Sequence, residues 1–299
     1  MKITKLLIGC LLFSFGLCTV IEARKPSAII YHQRLIFLKM TANDSHELLF
    51  LLDTGASKSA VDIKTAEKIN LPVSGKSEVE GTAGVIEVKN ARFDSLSFGD
   101  AEELGMEVTS YDLSGVLAPP DMKVDGILGY DFLRHFSINI SYKDQTIDFS
   151  QSPVKGNDCR SVLPFRLDNN IPRISGILSE NIEADFRLDT GASLFETEDI
   201  YLNTTQNIWE SLKVADPKLA PETYFSGSGV GGTVRLPVAR INNFRIGDIE
   251  NKNVYVIVQP KAGYFARDDA VGFISNNFLE KYDPVTIDYL SKRIFLTPR

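Results

Sequence analysis

The sequence predicts an all-β chain folded as two lobes related by a pseudo-twofold axis, with a cleft between them. Three observations carry this. The stretch Asp53-Thr54-Gly55-Ala56-Ser57 returns as Asp189-Thr190-Gly191-Ala192-Ser193. Each copy ends a strand-like run, Leu48-Leu49-Phe50-Leu51-Leu52 and Ala184-Asp185-Phe186-Arg187-Leu188, that delivers an acid into a glycine turn. The segments after each copy also repeat in one order, at a spacing far longer than a solenoid period. Two carboxylates in identical settings are thereby set face to face, an arrangement suited to activating water.

At 299 residues the chain is too long for one small core and suits two lobes of about 120 to 130 residues behind a leader. The leader is residues 1–23. A short basic opening, Met1 to Lys5, precedes an apolar run from Leu6 to Ile21. That run is shorter than the ~20 residues a spanning helix needs and matches a secretory signal peptide. Cleavage is expected after Ala23, and the protein is expected to be exported, periplasmic or secreted. Ile21 stands where a small residue is usual, so an uncleaved anchor stays open as the alternative. Leu7-Ile8-Gly9-Cys10 has the look of a lipid-attachment box, but too short an apolar run precedes Cys10. Membrane contact is expected only through such an uncleaved or lipidated N-terminus.

The first lobe is assigned to 24–155 and the second to 156–299. With the first strand near Leu35, little room remains for a long prosegment. After the first Asp-Thr-Gly, Val61 to Leu71 reads as a helix and Gly81-Thr82-Ala83-Gly84 as a hairpin tip. Val85 to Phe93 then reads as a strand ending in Phe98-Gly99-Asp100. The second half answers with Gly229-Val230-Gly231-Gly232, the strand-like Thr233 to Ile241, and Ile246-Gly247-Asp248. Asp125-Gly126-Ile127-Leu128-Gly129-Tyr130-Asp131-Phe132-Leu133 is matched by Val271-Gly272-Phe273-Ile274-Ser275-Asn276-Asn277-Phe278-Leu279. A short helix and a closing strand pair come next in each, Ile138 to Phe149 and Val285 to Leu296. Gene duplication accounts for all of it.

Composition and isolated motifs exclude several function classes. A net charge of −7 without a basic block argues against a nucleic-acid partner. Cys10 and Cys18 lie in the leader, so Cys159 is alone in the mature chain and makes no internal disulfide. His32, His46 and His135 have neither metal-ligand spacing nor a motif tying them to Cys159; His135 reads as a helix-end residue, and no metal or cofactor is expected. Gly227-Ser228-Gly229-Val230-Gly231-Gly232 fits a dinucleotide fingerprint, but a strand pattern with Pro237 comes after it where that fingerprint needs a helix. Between Thr197 and Leu219, Ile200, Ile208, Trp209 and Leu212 form an amphipathic helical pattern that would pack on the lobe or offer a face to a partner.

With both glycine-flanked acids and the repeated order in hand, the chain resembles the aspartic proteases over nearly its whole mature length. The two-copy arrangement is similar to the bilobal pepsin type. The compact lobes and the alanine after each Asp-Thr-Gly are similar to retropepsins, whose lobes are separate subunits. The resemblance implies acid-protease, double-psi-barrel-like lobes, with Asp53 and Asp189 as the catalytic dyad. It implies that Thr54 and Thr190 make crossed hydrogen bonds at the lobe interface and that Gly55 and Gly191 allow the tight turn. Gly81, Thr82, Ala83 and Gly84, with Gly229, Val230 and Gly231, are then the substrate-covering flaps. Two departures stand out: Ser77 to Val85 lacks the aromatic of pepsin-like flaps, Tyr224 and Phe225 lying by the second cluster instead, and Ser275 replaces the glycine found at Gly129.

The chemistry comes from two acids sharing one proton: one takes a proton from water as general base, and the other donates to the carbonyl oxygen. No covalent acyl-enzyme forms. A Ser or Thr in place of Ala56 and Ala192 would hydrogen-bond the carboxylates and hold their pKa down, so alanine predicts a working pH less acidic than that of gastric-type enzymes. The expectation is an aspartic endopeptidase, active as a monomer, binding an extended peptide or protein substrate across the cleft. The alternative is a catalytically silent peptide-binding or envelope scaffold protein with the same fold.

Overall fold

The computed structural model describes residues 26–80, 84–155, 161–192, 199–229 and 232–299. The leader, its cleavage site, Cys10, Cys18, Cys159, Ser193 and the flap residues Gly81, Thr82, Ala83, Val230 and Gly231 lie outside them. Among the described residues, no helix is long and apolar enough to cross a membrane.

Three sheets make up the all-β architecture. In the first half the strands run, in spatial order, Ile30–His32, Leu35–Ala42, His46–Leu52, Gly126–Leu128, Ala60–Asp62, Ala101–Tyr111, Val85–Phe98 and Val73–Glu80. In the second half the order is Arg166–Asp168, Ile171–Leu178, Ile182–Leu188, Gly272–Ile274, Tyr201–Thr204, Ile249–Val258, Gly232–Ile246 and Thr223–Gly229. The two orders are the same, strand for strand. The registers agree as well: Phe37 pairs with Leu51 as Arg173 pairs with Arg187, and Leu52 pairs with Leu128 as Leu188 pairs with Ile274.

The closing strand pairs build a third sheet that belongs to both halves. Its order is Ser27–Ala28, Thr146–Ser150, Ser137–Ser141, Tyr282–Asp288, Arg293–Pro298 and Ser161–Pro164. At its centre Ile138 lies opposite Ile287 and Ile140 opposite Val285, all fully buried. Burying each such side chain contributes about 2 kcal/mol, so the seam between the halves is core. The chain enters this sheet at Ser27, earlier than the expected first strand near Leu35.

Local sequence explains where two expected helices shorten. Ala60–Asp62 is a strand, held parallel to Thr109–Tyr111, and Asp62 ends it by capping the helix Ile63–Lys68. Its carboxylate accepts from the N–H of Lys64 and Thr65. In the second half Tyr201–Thr204 pairs with Tyr255–Val258, leaving the helix as Gln206–Ala215 with Thr205 as its cap. Trp209 and Leu212 on that helix are buried, so its apolar face packs on the lobe; Ile200 precedes the strand and is not part of the helix.

Candidate active site

Each aspartate sits where a core strand runs out. Leu52 and Leu188 are fully buried, and the next residue turns off the sheet with its N–H bonded to a neighbouring strand, Asp53 to Leu128 O at 3.0 Å and Asp189 to Ile274 O at 2.9 Å. The following threonines fasten the two loops to each other. Thr54 Oγ1 donates to Leu188 O at 2.8 Å, and Thr190 Oγ1 donates to Leu52 O at 2.9 Å. Each hydroxyl also accepts the partner threonine's N–H, at 3.0 and 3.1 Å. Both threonines are fully buried, so these four bonds are shielded from water and every polar group in them is satisfied.

The carboxyl groups of Asp53 and Asp189 lie within hydrogen-bonding reach of each other. A Cβ added to Gly55 would stand 2.6 Å from the Asp189 carboxyl carbon, and one added to Gly191 would stand 2.3 Å from that of Asp53. This corrects the expected role of the glycines. Neither is among the glycines at positive φ, so the turn itself does not demand them; the opposite carboxyl fills the space a side chain would need.

Environment pushes the two acids up. Burial raises Asp53, against N–H donors from Gly55, Ala56 and Gly191. Burial raises Asp189 well above the ordinary carboxylate range, and the charge of Asp53 adds to it. Such a pair favours holding one proton between two carboxyls. Alanine contributes to each only through its backbone N–H, as its side chain dictates.

Residues 38–132 match the family model for aspartyl protease. That match covers the first aspartate loop and under half of the chain. No curated protein matches the sequence. Among solved structures, the chain is similar to a retropepsin-like aspartic protease from Rickettsia conorii, at 18% identity, over 46% of this chain and 89% of that one, with a TM-score of 0.32.

Behind the first loop, Ser59 Oγ donates to Asp131 at 2.5 Å and accepts the N–H of Gly129 at 2.8 Å. Behind the second, Asn276 Nδ2 donates to Thr190 O at 2.8 Å and to Arg34 O at 2.7 Å, while its Oδ1 accepts from Tyr142 OH at 2.8 Å. Two phenols near Asp53 escaped the sequence reading. Burial and the Asp53 charge push Tyr111 up to about 12, and burial, Asp53 and Tyr130 raise Tyr289 further. Tyr289 comes directly after its closing strand as Tyr142 does in the first half, so the repeat already paired these two, whereas nothing in the repeat marks Tyr111.

Antiparallel strands flank both glycine clusters. Glu80 pairs with Val85 in the first, with Gly84 at its tip, and Gly229 pairs with Gly232 in the second. A strand, Gly232–Ile246, continues from the glycine cluster, which removes the dinucleotide reading. The first hairpin reaches the other lobe through Glu80, 3.3 Å from Arg267 Nη1, so a charge pair makes contact where no aromatic is present. Tyr224 is half exposed, with the Arg235 guanidinium 4.0 Å over its ring. His135 lies just past the helix Tyr130–Leu133, 3.6 Å from Glu103. Among the described residues no cluster of three metal-ligating side chains occurs.

Proposed function

We propose that the chain is an aspartic endopeptidase that hydrolyses peptide bonds with a water held between Asp53 and Asp189. The observation that carries this is the reciprocal threonine grip, which brings two half-buried acids of opposite lobes together over two glycines. The aspartyl protease match over residues 38–132 supports it. One aspartate, ionised, takes a proton from the water as general base. The other, protonated, donates to the carbonyl oxygen, so the tetrahedral diol forms without a covalent intermediate. Collapse returns a proton to the leaving amine.

An extended peptide lying across the cleft under the two hairpins is the substrate geometry that suits a β-lined groove. With both acids in one chain, the active unit is a monomer. Behind a cleaved leader the enzyme would act outside the cytoplasm. Incubation with a diverse peptide library across pH, comparing wild type with Asp189→Asn, tests the reading. Internal cleavage by wild type and loss of it in the variant are expected. Peptide binding without turnover in wild type would overturn it.

A further inference from the structure

Successive side chains of a strand point to opposite faces. Leu51 therefore shares a face with Asp53, and Arg187 shares the matching face with Asp189. In the first lobe that face is apolar: Leu35, Phe37, Leu49, Leu51 and Val124 form one buried cluster. In the second lobe the register puts Arg173 where Phe37 stands, Asp185 where Leu49 stands and Arg187 where Leu51 stands. Charge has replaced a hydrophobic cluster beside one of the two acids.

The acids of this second-lobe face are already engaged. Asp185 accepts from Arg166 at 2.5 Å, Arg173 at 3.1 Å and Ser175 at 2.5 Å, and Asp168 accepts from Arg173 at 3.0 Å. Asp269 holds Arg267. Arg187 differs. Among the described residues no carboxylate pairs with it, and its Nε is shut off from solvent and donates to nothing. The guanidinium lies 3.7 Å over the ring of Tyr264, whose hydroxyl is fixed by the Val271 N–H at 2.9 Å. The same ring has Arg267 at 5.7 Å, the residue that meets Glu80 of the first hairpin. Arg187 is thus a held cation, under the hairpin's reach and two residues before Asp189.

Resting on the proposed peptidase reading, we infer that the second-lobe half of the cleft takes an acidic side chain of the substrate, and that Arg187 is the residue that selects it. A carboxylate of Glu or Asp supplies the acceptor that the planar guanidinium lacks. The matching first-lobe positions, Leu51 and Phe37, are closed core and offer no such charge. The substrate class is therefore peptides with an acidic residue on one side of the scissile bond.

Matched peptides carrying Glu or Gln at each position around the cleaved bond test this with wild type alone. A preference for Glu of about 10- to 100-fold in kcat/KM is expected at one position, on one side only, the size of a charge-assisted hydrogen bond. Arg187→Leu, copying Leu51, is expected to bring the Glu/Gln ratio near one, Arg187→Glu to invert it, and Arg187→Lys to leave it intermediate. A wild-type ratio near one at every position, or a ratio unmoved in folded Arg187→Leu, overturns the inference while peptide cleavage stands. Should wild type cleave nothing, calorimetric binding of the same Glu and Gln peptides still decides: a Glu preference that Arg187→Leu abolishes keeps the acidic site without the peptidase, and no preference removes both.

Discussion

The two lobes agree at their aspartates and part company directly behind them. Around Asp53 and Asp189 the strand order, the register and the crossed threonine bonds are the same in each direction. One shell out, Gly129 is packed so tightly that a Cβ would come within 2.8 Å of Ala56 O and 2.9 Å of the Lys58 carbonyl carbon. Its counterpart Ser275 is buried with a side chain in place, donating to Asn277 at 3.0 Å. Tyr130 faces Asn276 across the pseudo-symmetry, and Phe37 with Leu51 faces Arg173 with Arg187. The difference teaches that the strand frame and the contact between the loops are common to both copies, while the residues packed behind them are not. The shell around them was free to specialise, one lobe towards apolar packing and the other towards hydrogen bonds and charge.

The comparison breaks most visibly if the dyad is not shared equally. Asp53→Asn and Asp189→Asn are each expected to lower kcat/KM on a cleaved peptide by about 10³-fold or more, and a variant keeping a tenth of wild-type turnover would show that its lobe is dispensable. Next comes the glycine contrast. Gly129→Ser is expected to cost about 2–3 kcal/mol in urea unfolding, because the new Cβ meets backbone that cannot swing away. Ser275→Gly should cost only about 1 kcal/mol, the loss of one hydrogen bond and added chain freedom. Equal costs would mean the two loops are packed alike after all.

Asp189→Asn also sharpens the electrostatic side of the comparison. In the unfolded chain Asp189 ionises near pH 4, whereas burial makes the folded chain keep its proton to higher pH. Wild type accordingly loses stability as pH rises through that window, and asparagine, with no proton to lose, does not. The variant should be more stable than wild type at neutral pH and equal to it near pH 3. A variant less stable at neutral pH would place the proton elsewhere. The smallest effect belongs to Ala56→Ser with Ala192→Ser, which adds a hydroxyl donor beside each carboxylate. The acidic limb of the pH-rate profile should move down by about half a unit to one unit.

Much of this was legible because duplication prints the fold twice. The repeated Asp-Thr-Gly, the glycine hairpins and the apolar-apolar-Gly elements located both loops, and the two acids do meet. What stayed hidden is long-range. Nothing local in Ser137–Ser141 announces that it pairs with Val285–Asp288 across almost half the chain, so the shared sheet could not be read. Helix limits failed where a short buried strand, Ala60–Asp62, runs straight into a cap. The reason for Gly55 and Gly191 was misread because the obstacle is a side chain from the other lobe. Arg187 went unnoticed for the opposite reason: it sat in plain view inside a strand, and only the partner register shows that it replaces a leucine.

The shared sheet also sets an order of events during synthesis. Ser27–Ala28 pairs with Thr146–Ile147, and the strands through Pro298 complete the seam between the halves. Because such distant pairings close late, a nascent chain on the ribosome carries Asp53 long before it can present Asp189 against it. The meeting of the two acids is therefore among the last contacts the chain can form.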